Sequence, residues 1–310
     1  MRNRKVVNIA ASFRARLLDL SRQRREDFQF VLGRWMIERF LYRLSVSPHK
    51  EDFVLKGAML FAAWTGKVYR PTRDLDLLGW GSPDVDRLVT AFREVCTIDG
   101  GDGLVFEPAR IEGERIKDAE YEGVRVRIPA SLDGARLLLQ VDVGFGDAVE
   151  PPPAELTFPV LLPAPAPRLR AYPPEAVVAE KLHAMVLLGI ANSRMKDFYD
   201  LCTIAESLSF DLPALARSVR VTFERRRTAV PTDQPFALTS EFLEDGTKRV
   251  QWQAFIKRIG VQTDLTLAQA GERIREFLLP ALQAASSESV VPRRWEPGGP
   301  WRLGAPPASS

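Results

Sequence analysis

Two aspartates stand two residues apart in the stretch RPTRDLDLL, residues 70–78. The run is strand-like, and alternate side chains of a strand share a face, so the carboxylates of Asp74 and Asp76 point the same way. Leu75 and Leu77 then point toward a core. Two like charges on one face repel each other, and a bound cation is the best reason for a protein to keep such a pair. The alternative is an ordinary pair of surface charges.

A glycine turn and a third carboxylate extend this motif. The pair Gly57-Ala58 opens a predicted helix just after a short strand, and such turns offer backbone N–H groups and a positive helix end to phosphate. Asp142 lies in a later strand, on the same face as Leu138 and Gln140, in a context where an unpaired buried carboxylate is costly. Three carboxylates from neighbouring strands can hold Mg²⁺, which shares its oxygen ligands with substrate phosphates. Two such ions would stabilise the attacking and leaving oxygens of a phosphoryl transfer.

Hydrophobic periodicity and turn residues predict the elements that position these side chains. Strands are expected at 53–56 and 74–80, and a hairpin of two long strands is expected within 120–132 and 135–147, joined at the sequence DGA. Helices are expected at 8–22, 26–46, 82–96, 173–194, 195–208 and 266–285, with a further short one after Gly57.

The pattern changes along the chain and predicts an α+β fold with five parts. A helical arm at 1–50 precedes an α+β core at 51–150. A proline-rich linker at 151–173 leads to a helical domain at 174–285, and the Pro-, Gly- and Ser-rich residues 286–310 are expected to be disordered.

Composition bounds the class of protein. The chain has 310 residues, 45% hydrophobic and 27% charged, which is typical of a soluble globular protein of one large or two ordinary domains. It contains no apolar run long enough to cross a membrane, and Arg14 and Arg16 interrupt the N-terminal apolar run, which argues against a secretory signal. Cys96 and Cys202 are the only cysteines, and we expect buried free thiols in a cytoplasmic protein rather than a cysteine-based metal site.

The net charge of +3 says little by itself, but arginines cluster in RQRR at 22–25 and in FERRRT at 223–228. Each cluster could contact phosphates, and each could equally be a solvated helix face or end. Arg125 and Arg127 share one strand face, for which a solvated surface is favoured over contact with RNA.

The order of these parts resembles the nucleotidyltransferase fold of the polymerase β type: a glycine turn, Asp-x-Asp, and a distant third Asp. The chain further resembles the AbiEii/AbiGii nucleotidyltransferase toxins from about residue 10 to about residue 260. Asp-x-Asp alone would be weak evidence. The resemblance also rests on Arg70-x-Thr72, on Glu180-Lys181-Leu182 and on Lys196-Asp197-x-x-Asp200-Leu201, in that order.

The resemblance implies roles for individual residues. Asp74 and Asp76 would bind the metal, and Asp142 would be a third ligand or the base that takes the proton of the acceptor hydroxyl. Lys181 would hold the triphosphate, and Asp200 matches a site residue of the family. The remaining nucleotide-site candidates are Gly57, Ala58, Arg194, Lys196 and Asp197. The turn departs from the common Gly-Ser pattern, which removes one hydroxyl contact to phosphate at Ala58. The alternatives to these functional roles are an exposed Lys181 and a purely structural salt-bridge cluster at 194–200.

The family also implies a function. It is that of a toxin in a two-gene toxin–antitoxin or abortive-infection system, using Mg²⁺ or Mn²⁺ to transfer a nucleoside monophosphate from an NTP to a hydroxyl. Some relatives act on the 3′ end of tRNA and so arrest translation. The implied partners are an NTP, tRNA and a winged-helix antitoxin of the AbiEi type. Two alternatives stay open: the same chemistry on a protein or small-molecule acceptor, and a non-catalytic module that binds nucleotide or a partner protein.

Overall fold

The computed structural model describes residues 8–66, 70–72, 74–116, 123–287 and 289–304 of the chain. Within these ranges the backbone forms two compact units. The first takes in 8–66, 71–146 and 154–171, and the second takes in Arg70, 147–153 and the residues from 172 onward.

In the described part of the first unit there are four α-helices and eight strands. Its helices are α1 (Ile9–Arg24), α2 (Phe28–Ser45), α3 (Leu60–Thr65) and α4 (Val85–Thr97). Its strands are β1 (Phe53–Lys56), β2 (Asp74–Gly79), β3 (Val105–Phe106), β4 (Glu112–Ile116), β5 (Gly123–Leu132), β6 (Ala135–Phe145), β7 (Ala154–Thr157) and β8 (Arg168–Ala171).

These strands form one mixed sheet in the order β3-β5-β6-β2-β1-β8-β7, with β4 also paired to β5. The pairs β2–β6 and β1–β8 are parallel, whereas β1–β2 and β5–β6 are antiparallel. The predicted combination of a sheet with helices is therefore confirmed, and the sheet is mixed. The sheet's buried face and the apolar face of α2, with Trp35 and Phe40 fully buried, form the core of this unit.

The predicted hairpin is confirmed, and its turn explains why it forms. β5 and β6 are joined by Asp133 and Gly134, which adopt φ values of 45° and 79°. A two-residue hairpin of the type I′ class requires positive φ at both central positions, and Asp-Gly is one of the pairs that tolerates it. The register follows from this turn and sets Arg125 opposite Asp142.

The second unit is mostly helical. Its helices are α5 (Pro174–Leu188), α6 (Met195–Ser207), α7 (Leu212–Arg225), α8 (Ser240–Leu243), α9 (Gly246–Ile259) and α10 (Leu267–Ser286). Three short strands form a separate sheet in the order β11-β10-β9: β9 (Phe210–Asp211), β10 (Arg293–Trp295) and β11 (Trp301–Leu303). None of the helices in the described ranges is long and apolar enough to span a membrane. Both cysteines are buried and free, as predicted.

Three sequence-based predictions need correction. The stretch 151–173 is not merely a linker, because Ala154–Thr157 and Arg168–Ala171 pair with each other and extend the large sheet from β1. The helix predicted over 173–194 ends at Leu188, since Gly189 leaves the helical conformation.

The prediction that 286–310 is disordered is wrong for residues 289–304, which form β10 and β11. Trp295 is fully buried, its indole N–H donates to the carbonyl of Ala205 at 2.7 Å, and its ring packs on Phe277 with a centroid separation of 5.0 Å. One large aromatic side chain thus anchors a segment whose composition resembles a disordered tail.

Replacing this anchor tests the correction. We expect Trp295→Ala to lower the free energy of unfolding by about 3–5 kcal/mol, because it leaves a cavity and an unpaired carbonyl. The measurement is urea denaturation followed by circular dichroism. Val291→Ala is the control, since Val291 in the same segment is 57% exposed. Equal, small effects of the two substitutions would mean that the segment is not anchored.

Candidate active site

The large sheet has one apolar and one charged face where β2 and β6 run side by side. Leu75 and Leu77 of β2 and Val141 and Val143 of β6 are fully buried on the apolar face. Asp74 and Asp76 alternate with these leucines, and Asp142 alternates with the valines, so all three carboxylates lie on the opposite face. The predicted same-face arrangement of the Asp-x-Asp pair therefore has its physical cause in the period of the strand.

A row of four charged side chains crosses this face. The pairing register sets Lys56 of β1 opposite Asp76, Asp76 opposite Asp142 of β6, and Asp142 opposite Arg125 of β5. The order of charges is positive, negative, negative, positive. The guanidinium of Arg125 donates two hydrogen bonds, of 2.8 and 2.7 Å, to the Asp142 carboxylate. This hydrogen bonding outweighs the opposing effect of burial and raises the pKa of Arg125.

The side chain of Arg125 is 32% exposed, so part of it faces solvent as expected, and it is also bound to a candidate site residue. Arg127, two positions along the same strand, pairs instead with Glu114 at 2.7 Å and is more exposed. Lys56 was also missed as a charged neighbour of the pair. Its ammonium lies above Gly144 on the charged face, since a Cβ added at Gly144 would be 3.6 Å from Nζ of Lys56.

Gly57 lies against Asp76. A Cβ at residue 57 would stand only 2.1 Å from Oδ2 of Asp76 and 2.8 Å from its Cβ, and Gly57 has a φ of +81°. Only glycine combines this backbone conformation with so close an approach. The helix that follows is short and begins at Leu60, with Leu60 N–H bonded to the carbonyl of Gly57. Phosphate binding by Gly57 and Ala58 stays a prediction.

The donor chemistry of this face suits a hard divalent cation, since Asp74, Asp76 and Asp142 supply only carboxylate oxygens on adjacent strands. Across the described ranges, however, no three His, Cys, Asp or Glu side chains are gathered into a ready metal-binding group. The third carboxylate, Asp142, is engaged by Arg125. The roles of the three residues as metal ligands remain predictions.

The other predicted residues gather around the N-terminal half of α6 in the second unit. Lys181 of α5 donates hydrogen bonds of 2.7 Å to both Asp197 and Asp200. Arg70 donates two further bonds to Asp200, and Arg194 donates one to Asp197. Both carboxylates are almost fully buried. Lys196 is exposed on the same helix.

The opposite charges of this cluster stabilise one another. Burial by itself would raise the carboxyl pKa values, but the attraction of Lys181 and Arg194 lowers the pKa of Asp197 to about 2. The pKa of Asp200 is likewise lowered by Lys181 and Arg70 against the effect of burial. Burial would discharge Lys181, yet the two carboxylates outweigh it and raise its pKa. All members are therefore charged at neutral pH, and the five side chains carry a net charge of +1.

His183 belongs to a different network. Its Nδ1 accepts a hydrogen bond from Arg226 at 3.2 Å, so its Nε2 carries the proton and donates to the hydroxyl of Thr228 at 3.0 Å. Burial, and then the charge of Arg226, lowers the pKa of His183 to about 4, which keeps the ring neutral. Arg226 also pairs with Asp147 and Glu180. Arg226, the middle arginine of 225–227, thus pairs with other side chains of the second unit.

A cavity of the second unit lies away from the predicted residues. It has a volume of about 510 Å³ between α9 and the start of α10, and apolar side chains such as Trp252, Ile256 and Leu267 line it. No candidate site residue contributes to its wall.

Comparison with known families accounts for the motif. The family described as the nucleotidyl transferase AbiEii toxin of type IV toxin–antitoxin systems matches residues 39–285. This range covers most of the chain, including every candidate site residue. The protein is a nucleotidyltransferase by class, and it belongs to the AbiEii toxin family. The predicted family is confirmed.

Individual proteins add less. No curated protein sequence matches the chain. Among solved structures, it is similar to the crystal structure of JHP933 from Helicobacter pylori, with 14% identity, a TM-score of 0.48 and coverage of 84% of this chain and 92% of that one. A second H. pylori structure, provisionally assigned as a nucleotidyltransferase, has 14% identity, a TM-score of 0.45 and coverage of 84% and 95%.

The close approach of Gly57 to Asp76 makes a testable prediction about stability. We expect Gly57→Ala to lower the free energy of unfolding by about 2–4 kcal/mol, because it adds both backbone strain and a collision with Asp76. Gly134→Ala is the matched control. Gly134 has nearly the same φ, +79°, but an added Cβ there meets no atom within 4 Å. The measurement is urea denaturation of both variants. An equal loss in the two would mean that Asp76 does not restrict residue 57.

Proposed function

We propose that this protein transfers a nucleoside monophosphate from an NTP to the 3′ hydroxyl of tRNA, in a reaction that requires Mg²⁺. The observation that carries the proposal is the charged row Lys56, Asp76, Asp142 and Arg125 on one face of the sheet, with Asp74 beside it. Family membership supplies the class of reaction. The reaction joins the acceptor oxygen to the α-phosphorus, and pyrophosphate leaves.

In this proposal Asp74, Asp76 and Asp142 hold the divalent cation, for which Mn²⁺ is the alternative. A cation bound there would neutralise charge on the phosphates and orient them. The net charge of the named side chains of the face supports this role, because three carboxylates and two positively charged side chains sum to −1. Arg125 holds Asp142 on the charged face, and Gly57 lets the turn approach Asp76.

Lys181 is the proposed contact to the triphosphate. Two of its three N–H donors are used by Asp197 and Asp200, and within the described part of the chain the third is available to a ligand. Asp200 positions Lys181, and Arg70 in turn orients Asp200 through its two hydrogen bonds. The net positive charge of this cluster suits an anionic ligand. Arg194 and Lys196 add positive charge at its exposed edge.

The wider proposal follows the family. We assign residues 51–150 to a polymerase-β-like core and 174–285 to a helical domain that carries Lys181. Arg22, Arg24 and Arg25 at the exposed end of α1 are candidates for the RNA backbone, together with Arg225 and Arg227. A winged-helix antitoxin is the proposed partner, in a cytoplasmic system of the abortive-infection kind.

Transfer can be measured directly. Purified protein is incubated with total tRNA, Mg²⁺ and each labelled NTP in turn. We expect label in tRNA from the wild type and a loss of at least about a hundredfold for Asp76→Asn, which keeps the shape but removes the charge. Asp86→Asn is the control, since Asp86 is an exposed carboxylate on α4.

The distribution of label separates the alternatives. Label in protein or in a small molecule instead of tRNA would support the proposed transfer reaction but would identify a different acceptor. No label in any fraction, with Mg²⁺ or Mn²⁺, would reject the proposed transfer. A small, equal effect of Asp76→Asn and Asp86→Asn would reject the assignment of Asp76.

Arg125 makes a further prediction about the cation. Because Arg125→Gln removes a positive charge beside Asp142, the face becomes more negative. We expect the Mg²⁺ concentration for half-maximal activity to fall about three- to tenfold, which corresponds to about 0.7–1.4 kcal/mol. Arg127→Gln is the control on the same strand. A midpoint that is unchanged or raised by Arg125→Gln would contradict the proposed cation site.

A further inference from the structure

The two central strands of the large sheet differ in length at one end, and the difference leaves a notch. β6 begins at Ala135, whereas β2 begins at Asp74, which lies opposite Gln140. Residues 135–139 of β6 are paired with β5 on one side. On the other side no strand accompanies them within the described ranges. The N-terminal half of α2 and residue Thr72 border this gap.

A cavity of about 340 Å³ occupies the notch. Its walls are equally polar and apolar in character, which distinguishes it from the larger apolar cavity of the second unit. The residues that line it are Gln29, Phe30, Gly33, Met36, Thr72 and 136–138. This volume lies within the range of pockets that bind small molecules.

The cavity adjoins the proposed cation face. Leu138, Gln140 and Asp142 alternate along β6 and so share that face. Asp74 lies opposite Gln140, which is about 7 Å along the strand from Leu138. Leu138 is 58% exposed, so a large apolar side chain is presented to solvent directly beside charged residues.

The wall chemistry indicates what the cavity binds. Phe30 offers a half-buried aromatic ring, Gln29 offers an amide that can both donate and accept, and Arg136 offers an exposed guanidinium. The described wall contains no carboxylate, so a cationic ligand is disfavoured. An aromatic face next to hydrogen-bonding groups and a guanidinium is the combination that binds nucleobases by stacking and by their polar edges.

We propose that this notch between α2 and the unaccompanied end of β6 is the binding site for a nucleobase. The inference rests on the proposed nucleotidyl transfer and adds the place at which the base is held. The base has two possible sources, the incoming NTP and the terminal nucleoside of the acceptor, and both present the same chemistry. Phe30 stacks on the base, and Gln29 and Arg136 contact its edge or its ribose.

Gly33 allows the cavity to be filled without disturbing the fold. It lies in the middle of α2, and an added Cβ there meets no heavy atom within 4 Å. Replacement of a helical glycine by alanine or leucine also favours the helix. Gly33→Leu therefore fills the cavity, and Gly246→Leu is the matched control, since Gly246 of α9 is a helical glycine outside the notch where an added Cβ also meets no heavy atom within 4 Å. Thermal denaturation of both variants verifies that they fold.

The experiment measures binding of ATP, GTP, CTP and UTP by calorimetry with Mg²⁺, beside inorganic tripolyphosphate, which lacks a base. We expect Gly33→Leu to weaken the preferred NTP about tenfold. Gly33→Leu should leave the binding of tripolyphosphate unchanged, and the control Gly246→Leu should leave the binding of both NTP and tripolyphosphate unchanged. If NTP binding is unchanged and the KM for tRNA instead rises about tenfold, the base held in the notch is that of the acceptor, which also supports the proposal.

Two results would overturn the inference. One is that Gly33→Leu changes neither NTP binding nor the KM for tRNA. The other is that it weakens tripolyphosphate as much as NTP, since the effect would then not depend on a base. Transfer of label by the wild-type protein in the same preparation separates these failures from a failure of the proposed function, in which the wild type itself transfers nothing.

Discussion

The parallel pairing of β2 with β6 is the constraint on which the proposed chemistry depends. It sets Asp76 beside Asp142 at the strand spacing of about 5 Å, where two like charges repel by about 1–3 kcal/mol. The fold tolerates this cost because the leucines and valines that alternate with these residues are fully buried on the other face. Lys56 and Arg125, at the two ends of the row, offset part of the repulsion. What remains is a surface that a cation would stabilise.

The two groups of candidate residues use charge in opposite ways. The sheet face is partly exposed, and its named side chains sum to −1, which suits the proposed binding of a cation. The cluster of Arg70, Lys181, Arg194, Asp197 and Asp200 sums to +1, which suits the proposed contact with phosphate, and its carboxylates are buried. Because breaking a buried ion pair leaves an uncompensated charge, the second cluster is a rigid support for Lys181, the proposed contact to the triphosphate. The proposed transfer would use both, since an NTP with its divalent cation carries both kinds of charge.

The notch beside the carboxylates arises from the unequal lengths of two strands and not from a recognisable sequence motif. β6 continues past the start of β2, and Gly33, which has no side chain, leaves open space on the surface of α2 that faces the notch. A cavity of this kind leaves no pattern in the sequence, because its walls come from a helix, a strand and a connecting segment that are distant along the chain. Its wall residues Gln29 and Arg136 are ordinary surface residues when they are considered one at a time.

The sequence by itself determined the local elements and the type of chemistry. The period of two in DLDLL puts Asp74 and Asp76 on one face, Asp133-Gly134 makes the hairpin, and the order of motifs indicates the family. Tertiary structure alone decided which strands are neighbours. The register that joins Lys56, Asp76, Asp142 and Arg125 depends on long-range pairing, so Arg125 looked like a surface residue and Lys56 like a strand end. The same applies to Trp295, whose segment has the composition of a disordered tail but is held by a core formed elsewhere. Local propensity acts over a few residues, whereas pairing and burial depend on which distant surfaces meet.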